Sequence, residues 1–227
     1  MPQYIIRPAV IKPDLTGKWD GPAWDQAETL ELIHFRPEGT DHRPETALRL
    51  LYDQAGIFGI FRVEDRYVRS IHTEYLSPVY KDSCVELFVK PKPDRGYFNF
   101  EFNCSGVLLC SYIIDPARTS EGFRDFVKLP EADGKQVPIY HSLPAIVEPE
   151  IKEPVTWLLE FHIPFSLLEK YVGTLGKVSG QSWSANFYKC GDETSHPHWA
   201  SWAPLPEKNF HAPDCFGTLS LFSRLPE

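Results

Sequence analysis

The stretch Cys84-Val85-Glu86-Leu87-Phe88-Val89, followed after a Pro-, Asp- and Gly-containing break by Tyr97-Phe98-Asn99-Phe100-Glu101-Phe102-Asn103, decides the fold class. Side chains of a strand alternate between two faces. Val85, Leu87 and Val89 therefore take the core and leave Glu86 and Phe88 opposite. In the second run the phenylalanines go inward, and Tyr97, Asn99, Glu101 and Asn103 go outward. The same reading puts Trp157, Leu159, Phe161 and Ile163 inward with Glu160 and His162 opposite, and turns Asn186 and Tyr188 outward.

Working outward, short apolar runs bounded by Pro, Gly, Asp and Asn predict strands over 4–10, 30–35, 46–53, 56–63, 84–90, 97–104, 107–114, 139–143, 156–163, 182–188 and 216–222. One short helix is expected over 166–172, opening after Pro164 with Ser166 as its cap. This is an all-β, antiparallel β-sandwich with long loops, taken as one domain over 1–227. The Pro- and Glu-rich stretch 130–154 is linker-like but too short to divide the chain. Composition agrees: 21 prolines and 31 aromatic residues in 227 positions argue against helical bundles and disorder. The net charge of −8, with no Lys/Arg run, argues against nucleic acid and anionic membranes as partners. Five cysteines without a C-x-x-C pair exclude a zinc ribbon and allow at most two disulfides. No export signal or membrane span is read from the sequence, so with Met1 as the natural start the expected compartment is the cytoplasm.

Glu, Asn and Tyr on one sheet face can donate and accept hydrogen bonds from rigid strands, which suits a polyhydroxylated ligand. Trp199 and Trp202, in a Pro- and His-rich loop, offer flat apolar faces for stacking on a pyranose ring. Ordinary solvent-facing alternation and core plugging are the competing explanations. Glu86, Glu101 and Glu160 also fit a glycoside hydrolase, in which two carboxylates flank the scissile bond. His196, His198 and His211 form a weak zinc pattern without a marked general base. Asp14, Asp20 and Asp25 are the candidates for structural calcium, an ion whose loop oxygens leave no spacing signature; no cofactor is required.

Further segments carry a resemblance. Gly17-Lys18-Trp19-Asp20-Gly21-Pro22-Ala23-Trp24, Leu50-Leu51-Tyr52-Asp53, Lys81-Asp82-Ser83-Cys84-Val85-Glu86-Leu87-Phe88, Trp157-Leu158-Leu159-Glu160-Phe161-His162-Ile163-Pro164-Phe165, Ala185-Asn186-Phe187-Tyr188-Lys189 and Asn209-Phe210-His211-Ala212-Pro213-Asp214-Cys215-Phe216-Gly217 occur in an order that resembles carbohydrate-binding module family 9. The resemblance covers nearly the whole chain. It implies a β-sandwich of the DOMON-like superfamily, as found on xylanases and in standalone sugar-handling proteins, with a sugar held between two aromatic rings and structural calcium nearby. It also implies a secreted or periplasmic setting, a role in carbohydrate catabolism and xylan- or cellulose-type oligosaccharide ligands. Mapped onto this chain, Tyr80 and Trp202 stack on the sugar with Trp199 as the alternate. Asp82, Glu86, Glu101, Asn103, Asn186 and Lys189 bind its hydroxyls. Some members of the superfamily hold haem; with Met1 the only methionine, only bis-His ligation is left for that reading.

Overall fold

The computed structural model describes residues 1–120 and 122–223; residues 121 and 224–227 of the expected 1–227 span lie outside the described residues. The first half supplies β1 (Gln3–Pro8), β2 (Leu30–Glu31), β3 (His34–Phe35), β4 (Glu45–Tyr52), β5 (Gly56–Asp65), β6 (Val68–Ser70), β7 (Cys84–Lys90) and β8 (Tyr97–Asn103). The second supplies β9 (Leu108–Thr119), β10 (Gly122–Lys128), β11 (Ile139–His141), β12 (Val147–Ile151), β13 (Val155–Pro164), β14 (Ser182–Cys190), β15 (Trp199–Ser201) and β16 (Gly217–Leu221), with helices α1 (Glu131–Gly134) and α2 (Phe165–Val172).

Two sheets form the sandwich. One runs β10-β9-β8-β7-β14-β16-β1 and the other β1-β4-β5-β13-β11. Strand β1 serves both: Gln3, Tyr4, Ile5 and Ile6 pair with β16 and its last two residues with β4, both parallel. This departs from a wholly antiparallel reading and joins the sheets covalently at one edge. Alternation places the core as read: Val85, Leu87, Val89, Phe98, Phe100 and Phe102 from one sheet meet Trp157, Leu159, Phe161 and Ile163 from the other. The Phe102 and Phe161 rings stack at 5.1 Å between centroids.

Local departures have local causes. The expected strand over 30–35 breaks into β2 and β3, with Ile33 exposed between them. Helix α2 begins one residue early: Pro164 is the cap and Ser166 makes no capping bond. Proline has no N–H to satisfy, and the Phe165 N–H finds the Ala55 carbonyl at 2.8 Å instead. Strands β6, β10, β12 and β15 were not expected; β15 forms inside the stretch read as a loop because Tyr188–Cys190 and His34–Phe35 flank it as partners.

The outer face of the β10-to-β14 sheet is not a plain solvent face. Phe88, Tyr97, Ile113, Tyr188, Leu205 and Phe216 form a second apolar layer there, packed against Phe123, Phe126 and Phe210. The segment after β15 thus folds back over the sheet and roofs part of it.

Candidate functional site

Between that roof and the β9–β10 hairpin lies a cavity of about 500 Å³, within the range typical of small-ligand sites. Strand register builds its floor. Glu86 of β7 stands directly opposite Glu101 of β8, and Asn99 stands opposite Ser111 of β9. Tyr80, Phe123, Phe126, Trp199 and Phe210 supply aromatic walls, and Arg118, Lys128 and Lys208 border the opening. Tyr80 sits in a 3-10 turn just before β7, and that turn is tied to the chain after β14: Asp192 N–H donates to the Tyr80 carbonyl at 3.0 Å, and Glu193 N–H to Lys81 at 2.9 Å.

The floor is buried and carries unusual carboxyl groups. Asn99 Nδ2 donates to Glu101 Oε1 at 2.6 Å, while Glu101 Oε2 is buried without a partner among the described residues. The Cys190 thiol donates to Glu86 Oε1 at 3.2 Å. Burial, then the neighbouring Cys190 and Glu101, push the Glu86 carboxyl well above the usual range. Burial pushes Glu101 up to about 7 against the lowering effect of the Asn99 bond. Two carboxyls at directly opposed positions out of water cannot both ionise freely, so the pair favours holding a proton. On the wall, Trp199 Nε1 donates to Asp192 at 2.7 Å, and the Lys208 ammonium lies 3.1 Å from the Trp199 ring centre. Tyr97 Oη and His211 Nδ1 are 2.9 Å apart, and burial lowers His211 to about 3, keeping that imidazole neutral.

Of the residues singled out from sequence, Tyr80, Glu86, Glu101, Trp199 and His211 come together at the cavity; Asp82, Asn103, Asn186, Lys189, Trp202 and Glu160 do not. Asp82 and Asn103 are bonded to each other at 2.9 Å, and Asp82 also accepts the Ile71 and His72 N–H groups, so both are committed to holding the 70–72 loop. Asn186 faces outward as read, but its side chain is bonded to Ala203 N–H and C=O at 2.8 and 3.2 Å, pinning the roof segment. Lys189 shares the parity of Phe187 and points inward. Its fully buried ammonium lies 3.3 Å from Asp65 Oδ2 and 2.7 Å from His198 Nε2. Trp202 packs in the core against Phe187, its ring over Gly217, where a Cβ would stand only 2.4 Å from the indole, and it does not line this cavity. Glu160 lies on the other sheet, where it accepts the Gly17 N–H at 2.7 Å, so it cannot pair with Glu86 or Glu101.

The metal candidates also separate. His198 joins the Lys189 cluster, His196 stacks on Tyr67 and His211 lines the cavity, so the three histidines share no site. Asp14 accepts hydrogen bonds from Thr16 and Lys18 and does not gather with Asp20 and Asp25. Among the described residues the one set of three close side-chain donors is Cys84, Glu86 and Cys190. Two buried thiols, with Cys84 pushed up to about 12 by burial, are the wrong donors for calcium, which takes oxygen ligands.

Sequence reasoning missed Asn99, Arg118, Phe123, Lys128, Asp192 and Lys208 as cavity residues. Asn99 was legible by parity with Glu101. Phe123-Arg124-Asp125-Phe126 shows no two-residue alternation, because the register of β10 shifts at Asp125, and its partner strand reaches past the expected end at 114 to Thr119.

A sequence-family profile described as carbohydrate-binding family 9 matches residues 25–221. Among solved structures, a protein from Bacteroides uniformis described as a candidate carbohydrate-binding protein superposes with a TM-score of 0.82 at 27% identity, over 96% of this chain and 98% of the other. A family 9 carbohydrate-binding module from Caldicellulosiruptor kristjanssonii, in complex with cellotriose, gives 0.65 at 13% identity over 99% and 95%. The same kind of module in complex with glucose gives 0.64 at 13% identity over 98% of each chain. No curated protein matches this chain.

Proposed function

Since the chain belongs to carbohydrate-binding family 9, we propose that its cavity binds a mono- or oligosaccharide without transforming it. The observation that carries this reading is the pairing of aromatic walls, Tyr80 and Trp199, with a buried carboxylate oxygen of Glu101 that no group among the described residues satisfies. An apolar ring face stacks on the C–H face of a sugar, and a buried acceptor without a partner is worth about 1–3 kcal/mol to whatever hydroxyl meets it. The neighbours solved with cellotriose and glucose support the same class of ligand.

Titration calorimetry with glucose, cellobiose, cellotriose and xylobiose at millimolar concentration tests it. Heat of binding and a change in Trp fluorescence are expected, both lost in Trp199→Ala. No heat with any of these sugars and unchanged fluorescence would overturn the reading. The hydrolase alternative is reduced to Glu86 and Glu101, since Glu160 is on the other sheet. Turnover of aryl glycosides above a Glu101→Gln control would replace binding with hydrolysis as the function.

A further inference from the structure

The opening of this cavity differs in charge from the rest of the chain. The protein has 31 acidic residues against 23 Lys and Arg, yet Arg118, Lys128 and Lys208 all border one cavity. None of the three side chains forms an ion pair or hydrogen bond among the described residues. The same hairpin does neutralise a neighbour, since Arg124 pairs with Asp115 at 2.9 Å. Arg118 instead lies over the Phe123 ring at 4.0 Å and Lys208 over Trp199 at 3.1 Å. Ring contacts of this kind hold a cation in place while leaving its donors free. The Arg118 charge acts on Tyr80, Tyr97, Glu101 and His211, so it is felt across the cavity. On the floor, the opposed Glu86 and Glu101 favour holding a proton, which leaves less negative charge to oppose the cations than two free carboxylates would.

We propose that the site prefers a saccharide bearing an anionic substituent, a carboxylate or a sulfate, placed at Arg118, Lys128 and Lys208 while the ring hydroxyls meet Glu101 and Asn99. The planar guanidinium matches either anion through paired N–H donors, and the lysines act as point charges. A ligand anion would draw Lys208 off the Trp199 face and free that ring for stacking. This inference rests on the carbohydrate reading above and adds the ligand's charge to it.

Calorimetry at low ionic strength with glucose, glucuronate, glucose 6-sulfate and inorganic sulfate separates the two readings. The expected result is that one or both charged sugars bind roughly tenfold tighter than glucose, about 1.4 kcal/mol. That advantage should shrink with added salt and be lost in Arg118→Gln/Lys128→Gln, whose exposed sites leave folding intact by thermal melting. Whichever charged sugar is preferred identifies carboxylate or sulfate as the anion. Glucose bound as tightly as both charged sugars overturns this inference and leaves the carbohydrate reading standing. Inorganic sulfate bound as tightly as the charged sugars also overturns it, because charge without a sugar would then suffice. Binding of none of the four overturns this inference, and the carbohydrate reading falls with it only if cellobiose, cellotriose and xylobiose also give no heat.

Discussion

At the scale of the residue, two tryptophans three positions apart have opposite fates. Trp199 presents its ring at the cavity with its N–H held by Asp192, whereas Trp202 fills space above Gly217. Trp202→Ala is expected to destabilise the protein by about 3–5 kcal/mol, the range for emptying a large aromatic site in a core, measured by urea unfolding. Trp199→Ala is expected to cost less stability and to remove the fluorescence response to sugar. Lys189 belongs to the same scale. Burial opposes an ionised Asp65, yet the Lys189 charge, the His42 bond and the Trp157 N–H together hold that carboxyl below its usual range. Asp65→Asn leaves the ammonium buried without its counter-charge and should cost about 3–5 kcal/mol; the double variant Asp65→Asn/Lys189→Met should recover part of that loss.

At the scale of the element, strand parity carried most of the legible information. It placed Glu86 and Glu101 on one face and the phenylalanines on the other, and the register confirms both. Parity alone could not say which polar side chains remain free, since Asn103, Asn186 and Asp82 satisfy backbone groups from segments distant in sequence. Inward parity for Lys189 was readable from Phe187, but a charged residue on a core position is expected outside unless a buried partner is known. The partner, Asp65, lies on β5, far away in the chain.

At the scale of the whole molecule, burial of titratable groups sets a pH profile. Glu101 has a folded value of about 7, above the roughly 4.3 of an unfolded Glu, so the native state holds the extra proton in that window and stability falls as pH rises through it. His198 and His211 sit near 3, below the unfolded value of about 6.5, so the unfolded state holds the extra protons and stability falls as pH drops from 6.5 toward 3. Between about pH 4.3 and 6.5 the two histidines outweigh the single Glu101, so melting temperature is expected to rise with pH through that window and to peak near 6.5. Above it, Glu101→Gln should melt higher than the parent protein. A parent melting temperature that keeps rising from pH 6.5 to 8 would contradict this assignment.

The sequence by itself determined the sandwich, its core faces and the outward parity of Glu86 and Glu101, because these follow from a two-residue period that neighbouring residues impose on one another; the register that sets the two carboxyls opposite each other came from the fold. Family resemblance added the class of ligand. Only the tertiary structure decided which aromatic and polar residues reach the cavity. That choice depends on the folding back of the segment after β15 and on the curl of the β9–β10 hairpin, where residues about ninety positions apart, such as Arg118 and Lys208, meet at one opening. Local sequence encodes which face a side chain takes, but the hydrogen-bond partner that uses it up, or leaves it free, comes from another part of the chain.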